Sequence, residues 1–392
     1  MGRTARIREE VRWKLRAWWD AWMALPRSTR IGVAVSSLAF AAVCVALSAY
    51  LVLGARGGVT SDDVGGGGEV VLYTSTDAFL LPPILESFER QSGLTVKVVG
   101  DTEATKTTGL VERLLAERES PRADVWWSNE ALGTIALAKA GVLEPFASKQ
   151  EATLGAAWPA AHRATDRTWY GFALRARVIA FNETRVQAAD APTRLRDLTD
   201  ARWSGRVGIA RPQFGTTRTQ IAALIAMHGE DPVREWLLAL RDNGVRVYDG
   251  NSSVVRAIFL GEIDVGLTDT DDVHAARRQQ WPVGMVFESP DKPRAKVEGL
   301  PSAGAVVIPN TVALVRGGPH PNTARRLADF LLSAEVERAL AASDSRNVPI
   351  RESLAKDAGV APIPDAAPVT SEQAGAHLAA ADRLIAGVFP LP

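Results

Sequence analysis

The sequence predicts an α/β fold whose strands run mostly parallel, preceded by an N-terminal helix that crosses a membrane. Three observations predict it. A short β-branched run, a polar loop and an amphipathic helix follow one another at least six times after residue 69. Gly or Pro punctuates most of the helix ends. A charge-free run of 23 residues, 31–53, comes before all of this. Strands that alternate with helices call for a sheet covered on both faces.

The N-terminal segment is read first. About 20 apolar residues span a bilayer core as helix, so residues 31–53 are long enough. Eight basic residues precede the run and only Arg56 follows closely, which puts residues 1–30 in the cytoplasm and the remainder outside. Trp13, Trp18, Trp19 and Trp22 lie among those basic residues, a mix that suits the inner membrane interface. A cleaved signal peptide, with Ser48 and Ala49 near the end of the run, is the alternative. A lipoprotein fits less well, because Val43 precedes Cys44 where a small residue belongs. Residues 54–68, with four consecutive glycines, read as a flexible tether.

The repeated units follow in order. Val70-Val71-Leu72-Tyr73 leads into Thr74-Ser75-Thr76-Asp77 and a helix to Gln91, with Pro82 and Pro83 early, where a missing N–H costs least. Residues 94–99 lead into Asp101-Thr102-Glu103-Ala104-Thr105-Lys106 and a helix through Leu110, Leu114 and Leu115. Asp124-Val125-Trp126-Trp127 leads into Ser128-Asn129-Glu130 and a helix stopped by Gly141. Residues 206–210 lead into Gln213-Phe214-Gly215-Thr216-Thr217 and a helix stopped by Gly229. Residues 245–248 lead into Asp249-Gly250-Asn251-Ser252-Ser253 and a helix stopped by Gly261. Residues 263–267 lead into Thr268-Asp269-Thr270-Asp271-Asp272 and a helix to about Gln280. In parallel sheets ligands bind outside the carboxyl ends of the strands, where all six loops fall. Helix starts also present backbone N–H groups to anions. Helix capping alone accounts for any single loop of this composition; six together point to a polar site.

Composition narrows the function classes. After residue 56 the chain carries a net charge of −6, which argues against nucleic acid as a partner. The one cysteine, Cys44, lies in the apolar run, so there is no disulfide pair, cysteine zinc site or soluble thiol nucleophile. The five histidines form no His-Glu-x-x-His motif, and there is no Gly-x-Ser-x-Gly elbow or Walker loop. No enzyme is expected.

Val70-Val71-Leu72-Tyr73-Thr74-Ser75, Ile84-Leu85-Glu86-Ser87-Phe88-Glu89, Ser92-Gly93-Leu94-Thr95-Val96 and Asp124-Val125-Trp126-Trp127-Ser128-Asn129-Glu130 together resemble segments of the ferric-iron-type ABC transporter solute-binding proteins. Arg175-Ala176-Arg177-Val178-Ile179-Ala180-Phe181-Asn182 and residues 198–207 extend the resemblance, which covers roughly residues 69–350. It implies a two-lobed periplasmic-binding-protein fold of type II, with a hinge and a central cleft. Lobe 1 would comprise residues 69–172 and 300–345, and lobe 2 residues 173–299, with crossings near 169–174 and 297–304. Residues 346–392 would pack on a lobe, with a helix from about Ser371 to Ala386. The implied partners are a small-molecule or ion ligand and an ABC permease with its ATPase. The chain would be a monomer in the cytoplasmic membrane with its binding domain in the periplasm or outside. It would hold no cofactor other than a metal ion as cargo. One departure stands out. Ferric-binding members carry adjacent tyrosines where the sixth loop leaves its strand. Here that loop reads Thr268-Asp269-Thr270-Asp271-Asp272, and the four tyrosines are Tyr50, Tyr73, Tyr170 and Tyr248.

Two ligand chemistries remain open. Glu103, Asp269, Asp271 and Asp272 are hard oxygen donors suited to a metal cation or its chelate, although their spacing is not that of an EF-hand. Ser75, Thr76, Thr105, Ser128, Asn129, Thr216, Thr217, Asn251, Ser252 and Thr270 suit a small anion or zwitterion such as a phosphonate or carboxylate, with Arg175 supplying charge. For Asp269–Asp272 the competing account is a helix cap with acids in its first turn. For Arg175 and Arg177 it is a salt bridge between lobes. A sensor that feeds no transporter is a further possibility.

Overall fold

The computed structural model describes residues 68–101, 108–154, 158–289 and 298–390, all within the compact unit Gly66–Pro392. The expected membrane segment 31–53, its tether up to residue 67, and Glu103 and Thr105 lie outside the described residues. Among the described residues no helix is long and apolar enough to cross a membrane.

The chain starts with β1 (Glu69–Thr74), α1 (Leu81–Ser92), β2 (Thr95–Gly100), α2 (Thr108–Ala116), β3 (Val125–Ser128), α3 (Ala131–Lys139) and the short β4 (Leu143–Glu144). The long β5 (Tyr170–Asn182) then leads into β6 (Val207–Ala210), α4 (Gly215–His228), α5 (Glu230–Asp242), β7 (Arg246–Tyr248) and α6 (Asn251–Leu260). Next come β8 (Val265–Asp269), α7 (Thr270–Arg278), β9 (Val283–Val286) and β10 (Val307–Val315). The chain closes with α8 (Pro321–Leu331), α9 (Ala334–Ala342), α10 (Glu352–Asp357), α11 (Ser371–Ala376) and α12 (Leu378–Val388). Local chemistry sets several boundaries. Pro82 and Pro83 occupy the first turn of α1, and Gly93 ends it in the left-handed conformation at φ 71°.

The strands form one sheet in the order β2-β1-β3-β10-β5-β8-β6-β7, with β4 on β10 and β9 on β5. Only part of the parallel expectation holds. β1 runs parallel to β2 and β3, and β6 to β7 and β8. β5 and β10 are antiparallel to every strand they touch. The reason is that these two are crossing strands, which carry the chain between halves of the sheet instead of closing a strand–helix–strand unit. β5 pairs with β10 through Ala176 and hands over to β8 from Arg177 onward. Before it, Ala173 sits at φ 46° opposite the register shift at Pro309/Asn310, a bulge that bends both strands.

Three apolar clusters cover the sheet. Trp126 and Trp127 point to opposite faces, as adjacent strand residues must, and both are fully buried in different clusters. Trp126 Nε1 donates to Thr134 Oγ1 at 2.8 Å. Burying side chains of this size contributes about 1.5–3 kcal/mol each. The C-terminal helix is two helices, α11 and α12, interrupted at His377. They pack on α3 from one half of the sheet and on α4 and α5 from the other.

Glu288 follows β9 and is buried, accepting from Ser302 Oγ at 3.0 Å and from the Leu195 N–H at 3.4 Å. Burial, aided by the nearby Asp197 charge, pushes its carboxyl up to about 7. A raised carboxyl contributes stability that is fully present below its unfolded value near 4.5 and is lost as pH rises through about 7. Urea melts of the wild type from pH 5 to 8 are therefore expected to lose up to about 3 kcal/mol. Glu288→Gln is expected to flatten that slope; an unchanged slope would assign the loss to another group.

Candidate functional site

The site grows from one buried arginine. Arg177, on β5 just past the hand-over, is 2% exposed and makes five hydrogen bonds, four to the polar segments that follow β6, β7 and β8 and one to Gln220 within α4. Its Nε donates to Gln220 Oε1 at 3.1 Å, and its Nη2 to Thr217 Oγ1 at 3.4 Å. Its Nη1 reaches Thr216 Oγ1 at 3.1 Å, Asn251 Oδ1 at 3.1 Å and Asp269 Oδ1 at 2.7 Å. Arg175, two residues earlier and therefore on the same strand face, donates through Nε to Asp269 Oδ2 at 3.2 Å and lies 3.4 Å from Asp271 Oδ2. Asn251 Nδ2 closes the network, donating to Thr216 Oγ1 at 2.8 Å and Asp269 Oδ2 at 3.0 Å.

Electrostatics follow from this packing. Burial alone would raise the Asp269 carboxyl, but Arg177 and Arg175 outweigh it and hold it below the usual carboxylate range. Burial likewise disfavours the charge on Arg175, yet Asp271 and Asp269 hold its proton more tightly than usual. Asp269 stands at the N-cap position of α7 but makes no side-chain cap bond, because its oxygens are engaged by the arginines. The capping account therefore does not describe Asp269. At α4 and α6 the cap positions fall on Phe214 and Gly250, again without side-chain cap bonds. Thr216, Thr217, Asn251 and Ser252 lie in the first turns of these helices, where the backbone N–H groups have no partner within the helix.

These loops wall a cavity of about 700 Å³. Asp77, Phe79 and Asn129 line it from the β1–β3 half, and the loops after β6, β7 and β8 from the other. Of the sequence-predicted residues, Asn129, Arg175, Thr216, Thr217, Asn251, Ser252, Asp269, Asp271 and Asp272 line it. Ser75, Thr76, Ser128 and Thr270 are buried beside it and do not. Ser75 Oγ lies 3.2 Å from Ser128 Oγ and accepts from the Asn129 N–H at 3.1 Å, so this pair sets the loop that carries Asn129. Thr270 Oγ1 accepts from the Ala176 N–H at 3.2 Å, tying α7 to β5.

Sequence reasoning missed Asp77, Phe79, Arg211, Phe214, Arg256 and Trp281 as lining residues. Asp77 and Phe214 lie inside two of the polar loops, so loop membership was their available signal. Arg256 sits four residues beyond Ser252 on α6, one helical turn along the same face. Nothing local to Trp281 marks it; tertiary packing against Phe259, with ring centroids 4.4 Å apart, brings it to the rim.

Carboxylate oxygens of Asp269, Asp271 and Asp272 lie within 4.8 Å of one another. Asp269 is a poor donor for a further cation, since both its oxygens already accept from cationic or amide N–H groups. Asp271, Asp272 and Asp249 are the other carboxylates on this wall, Asp272 accepting from Thr268 Oγ1 at 3.2 Å and Asp249 accepting from Arg211 Nε at 2.9 Å. Among the described residues no tyrosine lines the cavity: Tyr73 and Tyr170 are buried in the β1–β5 region and Tyr248 lies on β7.

Removing Arg177 leaves Asp269 buried with half its compensation. Arg177→Met is expected to cost about 3–5 kcal/mol in urea unfolding, whereas Arg256→Met, on an exposed helix face, is expected to stay within about 0.5 kcal/mol. A cost for Arg177→Met near 1 kcal/mol would remove the hub from the account.

Residues 135–370 match the model of a family described as bacterial extracellular solute-binding protein. The major ferric iron-binding protein of Neisseria meningitidis serogroup B is 26% identical over 275 residues, covering 70% of this chain and 78% of that one. Iron uptake protein A1 of Synechocystis is 26% identical over 301 residues, covering 73% and 79%. Among solved structures, iron-bound HitA from Pseudomonas aeruginosa superposes with a TM-score of 0.72 at 25% identity, covering 82% of this chain and all but 1% of that one. Trichodesmium IdiA (FutA), in complex with iron and citrate ligands, gives 0.66 at 23% identity, covering 83% of this chain and 100% of that one, a likeness of fold. With its α/β periplasmic-binding-protein fold and its match over residues 135–370, the chain belongs to the bacterial extracellular solute-binding protein family, whose members are binding proteins of transport systems.

Proposed function

We propose that this protein is the extracytoplasmic solute-binding component of an ABC importer and that it carries ferric iron as a complex with a small carboxylate chelator. Residues 31–53 would hold it to the cytoplasmic membrane with the binding unit in the periplasm or outside. Residues 69–172 with 300–345, and residues 173–299, would act as two lobes that close on the cargo. Delivery would be to a permease with its ATPase.

The observation that carries this reading is a tyrosine-free cavity of about 700 Å³ lined by both acids and arginines. Ferric iron is a hard cation and takes oxygen donors. Without phenolates, Asp271 and Asp272 supply too few protein oxygens to fill its coordination sphere; Asp249 is paired with Arg211 and Asp77 stands on the opposite wall, so a chelator supplies the rest. Arg256 and the helix starts of α4 and α6 would face the chelator's carboxylates. Two named relatives bind or take up iron, which agrees with that cargo. The same helix starts favour a second reading, a small anion or zwitterion without metal.

Isothermal titration of the purified full-length protein separates the readings. Ferric citrate is expected to bind with a Kd of about 1 µM or tighter, weakened about tenfold or more by Asp271→Ala and by Arg256→Ala. Citrate or a phosphonate binding equally well without iron would favour the second reading. Iron retained after citrate is dialysed away would point to a bare ion and contradict the first.

A further inference from the structure

The C-terminal helices join elements on the two sides of the cavity. α3 starts two residues after Asn129, which lines one wall, and α4 carries Thr216 and Thr217 of the other wall in its first turn. Both helices run away from the cavity, and α11 is packed against both. On the α3 side the fit is close: a Cβ on Gly375 would stand 2.9 Å from Ile135 Cγ2, and Lys139 Nζ donates to the Gly375 carbonyl at 3.0 Å. On the α4 side, Arg218 donates to both oxygens of Asp382 on α12, each bond 2.6 Å. Gln213 Nε2, just before α4, donates to the Phe389 carbonyl at 2.6 Å. One apolar cluster runs without a break from Ile135 through Ala374, Ala381 and Leu384 to Ile221 and Leu224. The other two clusters each stay within one half of the sheet.

We infer that α11 and α12 form a strap that limits how far the cavity opens. The second half of the sheet cannot swing away from the first about β5 and β10 without sliding α11 off Ile135 or breaking the Arg218–Asp382 pair. A strap of this kind holds the ligand-free protein near its closed form. It thereby reduces the free energy that ligand must spend on closure, and so raises apparent affinity. The inference rests on the proposal that the two halves move as lobes, but not on the identity of the cargo.

The test uses the full chain with Cys44→Ser and spin labels at Val98→Cys and Val247→Cys, two exposed positions on β2 and β7 at opposite ends of the sheet. Pulsed dipolar spectroscopy reads the distance between them with and without ferric citrate. Gly375→Val is expected to shift the ligand-free distribution to longer distances and to weaken ferric citrate binding roughly tenfold. Asp382→Asn, which keeps the helix and its packing, is expected to do the same to a smaller extent, and it serves if Gly375→Val fails to fold. A ligand-free distribution unchanged in a folded variant overturns the strap. If ferric citrate moves the wild-type distribution while the variants match it, the lobe motion stands and the strap alone fails. If no ligand or variant moves the distribution, both fail together.

Discussion

The buried pair of Arg177 and Asp269 is the constraint on which the site depends. A guanidinium taken out of water is tolerable only when its donors are satisfied, and Arg177 meets that demand by drawing in acceptors from three separate loops. Those loops follow β6, β7 and β8, three neighbours in the sheet. Backbone pairing brings their strands together, and the arginine fixes where their side chains point. Thr216, Asn251 and Asp269 thus form a preorganised wall before any ligand arrives. The cost is that Asp269, which reads in the sequence as the first donor of an acidic cluster, serves instead as the counter-ion of the scaffold.

This division of labour explains the charge pattern of the cavity. An acid whose two oxygens both serve internal arginines contributes little to a ligand, whereas Asp271 and Asp272, in the first turn of α7, line the cavity, Asp271 with one oxygen 3.4 Å from Arg175. Arg175 neutralises part of that charge, and Arg211 and Arg256 add cationic groups along the rim. The resulting surface is mixed in sign over a volume far larger than a bare ion needs. It fits cargo that itself mixes a hard cation with anionic groups.

Much of this was legible in the sequence. The strand–loop–helix units at residues 206–217, 245–253 and 263–272 appear where their periodicity and helix-start residues place them, because both signals are local. The crossing strands were harder. The antiparallel pairing of β5 and its hand-over at Ala176 depend on which neighbours it meets across the sheet. The spacing of Arg175 and Arg177 puts both on one strand face, yet their partners lie more than 35 residues away and no local rule selects them. Trp281 reaches the rim only through packing on Phe259, and α11 bridges α3 and α4 only because the chain returns to them at its end.

The central claim is that iron is held here without phenolate oxygens. Visible absorption of the iron-loaded full-length protein tests it most directly, since a tyrosinate bound to ferric iron gives an intense charge-transfer band in the visible that carboxylates do not. The account predicts a protein that retains iron and citrate together and shows no such band. An intense visible band, abolished by substituting a tyrosine, would contradict it and would mean that a phenolate reaches the cavity after all.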